Sequence, residues 1–197
     1  MGVSLAGAQC NRLASFLELV ARWNPRVRLV GSAEPSSLVG VHLADSLALA
    51  RAMTQAASES TCMELLDVGS GAGFPGFALA LILTASKISL CEISEKKLAF
   101  LYEAERRLGA GVQILPIRAE ELAEKGKRFP QVTSRATFSP MEWRAIGTRL
   151  CEAGGRIWSF WSREQEVPFM EESLVRFRYE LADGRYRVIA GFQVPDK

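Results

Sequence analysis

The 197-residue sequence predicts an α/β fold with a mostly parallel, seven-stranded sheet, and three observations carry that prediction. Between about residues 62 and 161, short apolar runs alternate with helix-period segments, the order that builds parallel sheets covered by helices. The stretch LDVGSGAGFPG at 66–76 turns the first apolar run tightly into a helix, and four of its eleven positions are glycine. The final run, VRFRYELADGRYRVIAGFQV, is two β-rich segments around Asp183-Gly184, a strong hairpin signal.

The first part of the chain is helical. Leu13, Phe16, Leu17 and Val20 fall at i, i+3, i+4 and i+7, and Trp23-Asn24-Pro25 ends the pattern. A second helix is expected from about Ser37 to Met53, with TQAASEST at 54–61 as a linker. Residues 1–54 thus form a helical segment packed on a domain spanning 55–197. CMELLDV is the first buried strand, and GFALALIL starts a helix with Pro75 near its first turn, where a missing N–H costs little. KISLCEI is the second strand. SEKKLAFLYEAERRLG is a helix with Ser94 as cap, an apolar line of Leu98, Leu101 and Leu108, and Gly109 as its stop. GVQILPI and FPQVTSRA hold the third and fourth strands, a helix runs from about Pro140 to Leu150, and GGRIWSFW makes the fifth strand.

Composition narrows the class. A hydrophobic fraction of 48% and a charged fraction of 23% are those of a soluble globular protein. No apolar run is long enough to span a bilayer, and MGVSLAGAQCNRLASFLELV has no basic region before its apolar part. A cytoplasmic protein with no membrane partner is expected. Cys10, Cys62, Cys91 and Cys151 are scattered and only one histidine is present, so no metal site is expected. Cys62 and Cys91 read as reduced thiols inside strands. The net charge of +2 does not announce nucleic acid, but eighteen arginines against six lysines favour flat, forked donors. Such donors suit phosphates and base faces, and serve ordinary ion pairs equally well.

In a doubly wound sheet, ligands sit beyond the carboxyl ends of the strands, so the glycine loop is the expected site. Two registers compete there. G-x-G-x-x-G at Gly71, Gly73 and Gly76 would suggest a dinucleotide, but it begins after the strand has ended near Val68 and encloses Pro75. D-x-G-x-G-x-G, from Asp67 through Gly69 and Gly71 to Gly73, resembles the signature of S-adenosylmethionine-dependent methyltransferases with a Rossmann-like sheet. Its glycines let a cofactor lie against bare backbone, and Asp67 would hold the loop and face the cofactor's ammonium. Glu92, ending the second strand, has the spacing at which an acid grips ribose hydroxyls, a feature NAD and S-adenosylmethionine share.

Longer stretches carry a closer resemblance: FLELVARWN at 16–24, HLADSL at 42–47, LDVGSGAGFPG, CEISEKKLAFL at 91–101, RAEE at 118–121 and VTSRA at 132–136. In this order and spacing, over roughly residues 12–160, the sequence resembles the small-subunit ribosomal RNA methyltransferase G family, also called glucose-inhibited division protein B. The resemblance implies a class I methyltransferase that uses S-adenosylmethionine to methylate N7 of a guanine in 16S ribosomal RNA, acting on that RNA or on the small subunit. It places cofactor contacts at Gly69, Phe74, Ala119, Glu120 and Arg135. Of these, Ala119 and Glu120 would border the adenine, through a backbone N–H and a side-chain acceptor respectively. The sequence departs from the family's pattern at RLV (28–30), at Pro130-Gln131, and in WSFWS, which lacks a lysine often found there. Those departures fall in the substrate half and leave room for another RNA or a small-molecule acceptor, or for a non-catalytic cofactor-binding assembly factor.

Guanine N7 carries a lone pair and no proton, so the reaction needs no general base, in keeping with the lack of an obvious His–carboxylate pair near the motifs. Arg135 is the candidate for positioning RNA phosphate or cofactor at the reaction. His42 and Asp45 lie three apart and share a helix face, a structural role being favoured for the lone histidine. Basic side chains from Arg22 to Arg128 are candidates for an RNA-facing surface, and Phe138, Trp158 and Trp161 are candidate stacking platforms. A monomer is favoured.

Overall fold

The computed structural model describes residues 5–56, 63–83, 85–162 and 172–196; Cys62 and residues 57–61 of the expected linker lie outside them. Helix α1 (Gly7–Val27) buries Leu13, Phe16, Leu19 and Val20 along one face. It continues two residues past Pro25 instead of stopping there. Proline removes one N–H but not the helical path, and the stop comes at Arg28, whose left-handed backbone (φ 53°) returns its N–H to the Asn24 carbonyl. Asn24 Oδ1 then accepts the Val30 N–H at 2.9 Å, which fixes the exit of the chain.

The expected second helix is three joined pieces. A turn of α2 (Pro35–Ser37) runs into a π-helical segment, Leu38–Leu43, and then into α3 (Ala44–Ala56), which absorbs the first residues of the expected linker. The wider π turn carries His42 and delivers Asp45 and Ser46 into a fully buried position.

The remaining elements are β1 (Glu64–Val68), α4 (Gly76–Ala80), β2 (Lys87–Cys91), α5 (Glu95–Leu108), β3 (Gln113–Leu115), α6 (Ala119–Glu124), β4 (Phe129–Ser134), α7 (Pro140–Leu150), β5 (Cys151–Ser162), β6 (Val175–Glu180) and β7 (Tyr186–Gln193). They form one seven-stranded sheet in the order β3-β2-β1-β4-β5-β7-β6. The first five strands pair in parallel, while β7 is antiparallel to both β5 and β6. The expected class is therefore observed, with the terminal hairpin folded back so that its second strand meets the body of the sheet. α4 is shorter than the sequence suggests, ending at Ala80.

Each face of the sheet carries its own core. On one, Phe16 of α1 stacks on Phe77 (4.9 Å between centroids) and meets Phe74 and Phe100. Burial of each such ring is worth roughly 1.5–3 kcal/mol. The N-terminal helices share this core with β1 and β2. On the other face, Trp143, Ile146 and Leu150 of α7 cover Ile157 and Trp161. Trp158 faces the first core, is 0% exposed, and donates its indole N–H to Gln131 Oε1 at 2.8 Å. Trp158 is a core residue and no stacking platform. No helix among the described residues is long and apolar enough to cross a membrane.

The strand order reverses beside β1. From β1 the chain builds outward through β2 and β3, then returns to place β4 on the other side. The crevice beyond the ends of β1 and β4 is where a ligand is expected in such a sheet.

Candidate active site

The glycine loop leaves β1 at Val68. Gly69, Gly71 and Gly73 all have positive φ (71°, 55° and 83°), a backbone that a side chain disfavours. Gly76 is different: it starts α4, and a Cβ there would stand 2.5 Å from Leu90 Cδ2 and 2.7 Å from Asp67 Oδ2. Three glycines thus shape the turn and the fourth allows close packing, which is the D-x-G-x-G-x-G register and not the dinucleotide one. The loop is tied to the next strand by the N–H groups of Gly69 and Ser70, both donating to the Cys91 carbonyl.

Asp67 and Glu92 brace this loop from below and from the side. Asp67 Oδ2 accepts the Gly76 N–H at 2.9 Å. Its Oδ1 is buried without a partner. Burial raises its pKa to about 7, an effect the Gly76 N–H opposes. Glu92 accepts the Gly71 N–H on Oε2 (2.9 Å) and the N–H groups of Ile93 and Ser94 on Oε1 (2.8 Å each). It therefore locks the loop to the start of α5, and is itself buried at the edge of the first cavity.

Two neighbouring cavities open at this edge of the sheet. The first, about 210 Å³, is lined among others by Gly69, Glu92, Ile93, Lys97, Ala119 and Glu120. The second, about 250 Å³, is lined by Ser134, Arg135, Trp143, Ser159, Trp161 and Arg187 among others. Thr137 and Phe138 line both and form the wall between them. The wall follows Ala136, a non-glycine residue held at φ 58°, a conformation that costs roughly 1–2 kcal/mol. Phe138 stacks on Trp143 with 5.9 Å between ring centroids.

The first cavity brings together Gly69, Glu92, Ala119 and Glu120 of the sequence-predicted cofactor set, with Gly71 bonded to Glu92. Gly73 and Phe74 lie beneath it: Phe74 is 3% exposed, packed on Phe16 and stacked with His42. Arg135 lines the second cavity instead of the first. The donor set fits a nucleoside bearing an amino-acid tail. The bare backbone of Gly69, the carboxylate of Glu92 and the half-exposed apolar side chain of Ile93 line the first cavity together, while Asp67 is buried beneath the loop and does not line it.

Behind the second cavity lies a polar cluster on Asp45, a residue 0% exposed. Asp45 Oδ2 accepts from Arg135 Nη1 (2.9 Å) and Arg187 Nη1 (2.7 Å), and Oδ1 accepts from the Tyr179 hydroxyl (2.6 Å). Arg135 Nη2 lies 2.7 Å from His42 Nδ1. Since guanidinium only donates, that nitrogen accepts and the His42 proton sits on Nε2. Burial, with the charges of Arg135 and Arg187, lowers the His42 pKa to about 4. Among the described residues no group of His, Cys, Asp and Glu could hold a metal ion.

Sequence reasoning did not find Ile93, Thr137, Tyr179 or Arg187, and it placed Lys97 on an RNA-facing surface and not at the first cavity. Its position had a signal, because it lies three residues after Ser94 and so in the first turn of α5, beside Gly71. Tyr179 and Arg187 had none, since their partners lie more than a hundred positions away.

A model of the GidB family, described as rRNA small subunit methyltransferase G, matches residues 9–173. The chain belongs to the rRNA small subunit methyltransferase G family. Curated relatives bear the name Ribosomal RNA small subunit methyltransferase G. One from Myxococcus xanthus (strain DK1622) is 35% identical over 160 residues, covering 80% of this chain and 71% of its own. One from Anaeromyxobacter sp. (strain Fw109-5) is 33% identical over 158 residues, covering 79% and 70%. Among solved structures, a hypothetical protein of Thermus thermophilus superposes with a TM-score of 0.56 at 23% identity, covering 84% of this chain and 91% of its own. Precorrin-6y C5,15-methyltransferase from Geobacter metallireducens GS-15 gives 0.54 at 14% identity, covering 76% and 87%. These two establish shared fold alone. In the stretches where the sequence reading found departures from the family's pattern, Gln131 accepts from the Trp158 indole, Leu29 enters the first core and Trp161 enters the second.

Proposed function

We propose that this chain transfers a methyl group from S-adenosylmethionine to N7 of a guanine in 16S ribosomal RNA. One observation carries the reading: two cavities at the sheet's switch point share the Thr137–Phe138 wall, one with the glycine loop and Glu92, the other with aromatic and cationic side chains. A donor nucleoside and an acceptor base held there meet at a common edge.

In the first cavity, Gly69 and Gly71 present bare main chain, and Glu92 accepts from a ribose hydroxyl on Oε2 while its other lone pairs keep the loop in place. Ala119 offers its backbone N–H and Glu120 its carboxylate to the adenine, with Ile93 as an apolar wall. Asp67, buried under the loop, keeps the glycine backbone in place through the Gly76 N–H. In the second cavity, Phe138 stacks on the target base and Arg135 orients the RNA. When bound, the sulfonium supplies an electrophilic methyl group.

N7 needs no base to activate it. Its lone pair forms the new N–C bond as the S–C bond breaks, and the positive charge passes from sulfur to the purine without release of a proton. The side chains therefore contribute orientation, a term that reaches about 7–11 kcal/mol in well-aligned systems. We read residues 1–54 as a helical segment packed on a catalytic domain of 55–197, which the Phe16–Phe77 stacking supports.

The test supplies methyl-labelled cofactor with, separately, bare 16S RNA, assembled small subunits and a pool of metabolites. Label recovered as 7-methylguanosine from either RNA substrate is the expected result. Label in a metabolite, or cofactor binding without transfer to any acceptor, overturns it.

A further inference from the structure

The polar cluster behind the second cavity does not balance its charge. Asp45 contributes one negative charge, and Arg135 and Arg187 each contribute a positive one to the same Oδ2. Tyr179 is a neutral hydroxyl donor, and His42 is neutral, its nitrogen accepting from Arg135. Within hydrogen-bonding distance one positive charge is left over; Asp67 and Asp183 act on Arg135 and Arg187 only from further away, and the lining of the second cavity contains no carboxylate among the described residues. A partly buried surplus charge is costly unless an opposite charge completes it.

The two arginines are not equally free. Arg135 spends both terminal nitrogens, on Asp45 and on His42, and its side chain is 14% exposed. Arg187 spends only Nη1, is 23% exposed, and has no partner for Nε or Nη2 among the described residues. Those two nitrogens form one edge of the guanidinium fork, the edge that takes two oxygens of a phosphate side by side. Asp45 meanwhile holds the remaining terminal nitrogen, so that the fork is already oriented before any anion arrives.

From this we infer that Arg187, on β7 and beyond the stretch the family model matches, is a binding residue for a phosphodiester of the RNA beside the target guanine. The inference rests on the methyl-transfer reading above and adds to it a specific anchor for the nucleotide backbone. The methionine carboxylate is the other anion within the site, but the glycine loop, Glu92 and Ala119 line the first cavity, whereas Arg187 lines only the second. A phosphate contact also suits the chemistry. Surplus positive charge aimed at the base would oppose the charge arriving on the purine, while the same charge neutralised by phosphate does not.

The experiment compares wild type, Arg187→Gln and Arg187→Lys. Association with transcribed 16S RNA and with small subunits is measured across a range of salt concentrations, and the affinity for S-adenosylhomocysteine is measured by calorimetry. Loss of one phosphate contact should weaken RNA binding by about tenfold at low salt and lower the slope of log affinity against log salt by about 0.7–0.9. Arg187→Lys should keep the slope, and the nucleoside affinity should stay within about twofold for both variants. Weaker binding with an unchanged slope would mark Arg187 as merely structural and overturn the inference. Lost nucleoside affinity with normal RNA binding would assign the arginine to the carboxylate and overturn it equally. If wild type neither binds RNA nor methylates it, the functional reading falls and takes this inference with it; the other two failures leave that reading standing.

Discussion

Arg135 donates to Asp45 at 2.9 Å across ninety positions of sequence, joining the loop after β4 to the first turn of α3. The carboxylate that receives it is fully buried and receives Arg187 and Tyr179 as well. A single side chain therefore holds three separated segments at the edge of the second cavity.

Removing that side chain should be expensive. Asp45→Ala leaves two guanidinium groups without their shared partner, and the loss of unfolding free energy should be of the order of 3–5 kcal/mol. Asp45→Asn keeps the acceptor geometry without the charge and should lose less. Urea denaturation of the two variants against wild type checks both the size and the order.

The loop glycines should separate stability from binding. Gly76→Ala forces a methyl group to 2.5 Å from Leu90 Cδ2, and overpacking of this kind costs about 1–3 kcal/mol. At Gly71 a methyl group meets nothing nearer than 3.7 Å, so Gly71→Ala should cost only the roughly 1–2 kcal/mol of its left-handed backbone. Yet that methyl would stand where the nucleoside is proposed to lie. Calorimetry should show a larger loss of S-adenosylhomocysteine affinity for Gly71→Ala than its modest thermal shift suggests.

Asp67 makes stability depend on pH in a stated direction. Its pKa rises from 3.8 unfolded to about 7 folded, so the folded chain holds the extra proton between those values. This group's contribution to stability falls as pH climbs from about 4 to 7, because the unpartnered oxygen must then carry charge in a dry site. Asp67→Asn removes the titration. The melting temperature of the variant relative to wild type should increase from pH 5 to pH 8, which differential scanning calorimetry measures.

His42 acts in the opposite sense. Its pKa falls from 6.5 to about 4 on folding, chiefly through burial and then through Arg135 and Arg187. The unfolded chain takes up the proton first, so stability is lost as pH drops from about 6.5 towards 4. His42→Asn should flatten that acid limb of a melting-temperature profile while leaving the region above pH 7 nearly unchanged in slope.

Much of this arrangement could be read from the chain, and the boundary between legible and hidden is physical. The glycine loop was readable because backbone constraint is written locally: positive φ at 69, 71 and 73 favours glycine, and strand exit at Val68 fixes the register. Glu92 was readable because its spacing from the loop follows from one crossover. Its second task, bonding Gly71 and the first N–H groups before α5, was not, since it depends on three-dimensional closure. Local rules also misplaced the end of α1, where Pro25 looked like a stop but lay in the last turn. They placed Trp158 among possible platforms, although its burial sets it in the opposite core from Trp161. The Asp45 cluster was least visible. His42 and Asp45 were seen to share a face, but Tyr179 and Arg187 join them only because β7 inserts between β5 and β6.

Thr137 and Phe138 stand as a partition with one chamber on either side. A thin divider of this kind cannot shift towards one occupant without shifting away from the other. Donor and acceptor should consequently sense each other's presence, each altering the other's hold by an identical factor. Substitutions at Thr137 should disturb two equilibria together, which distinguishes the divider from any residue facing a single chamber.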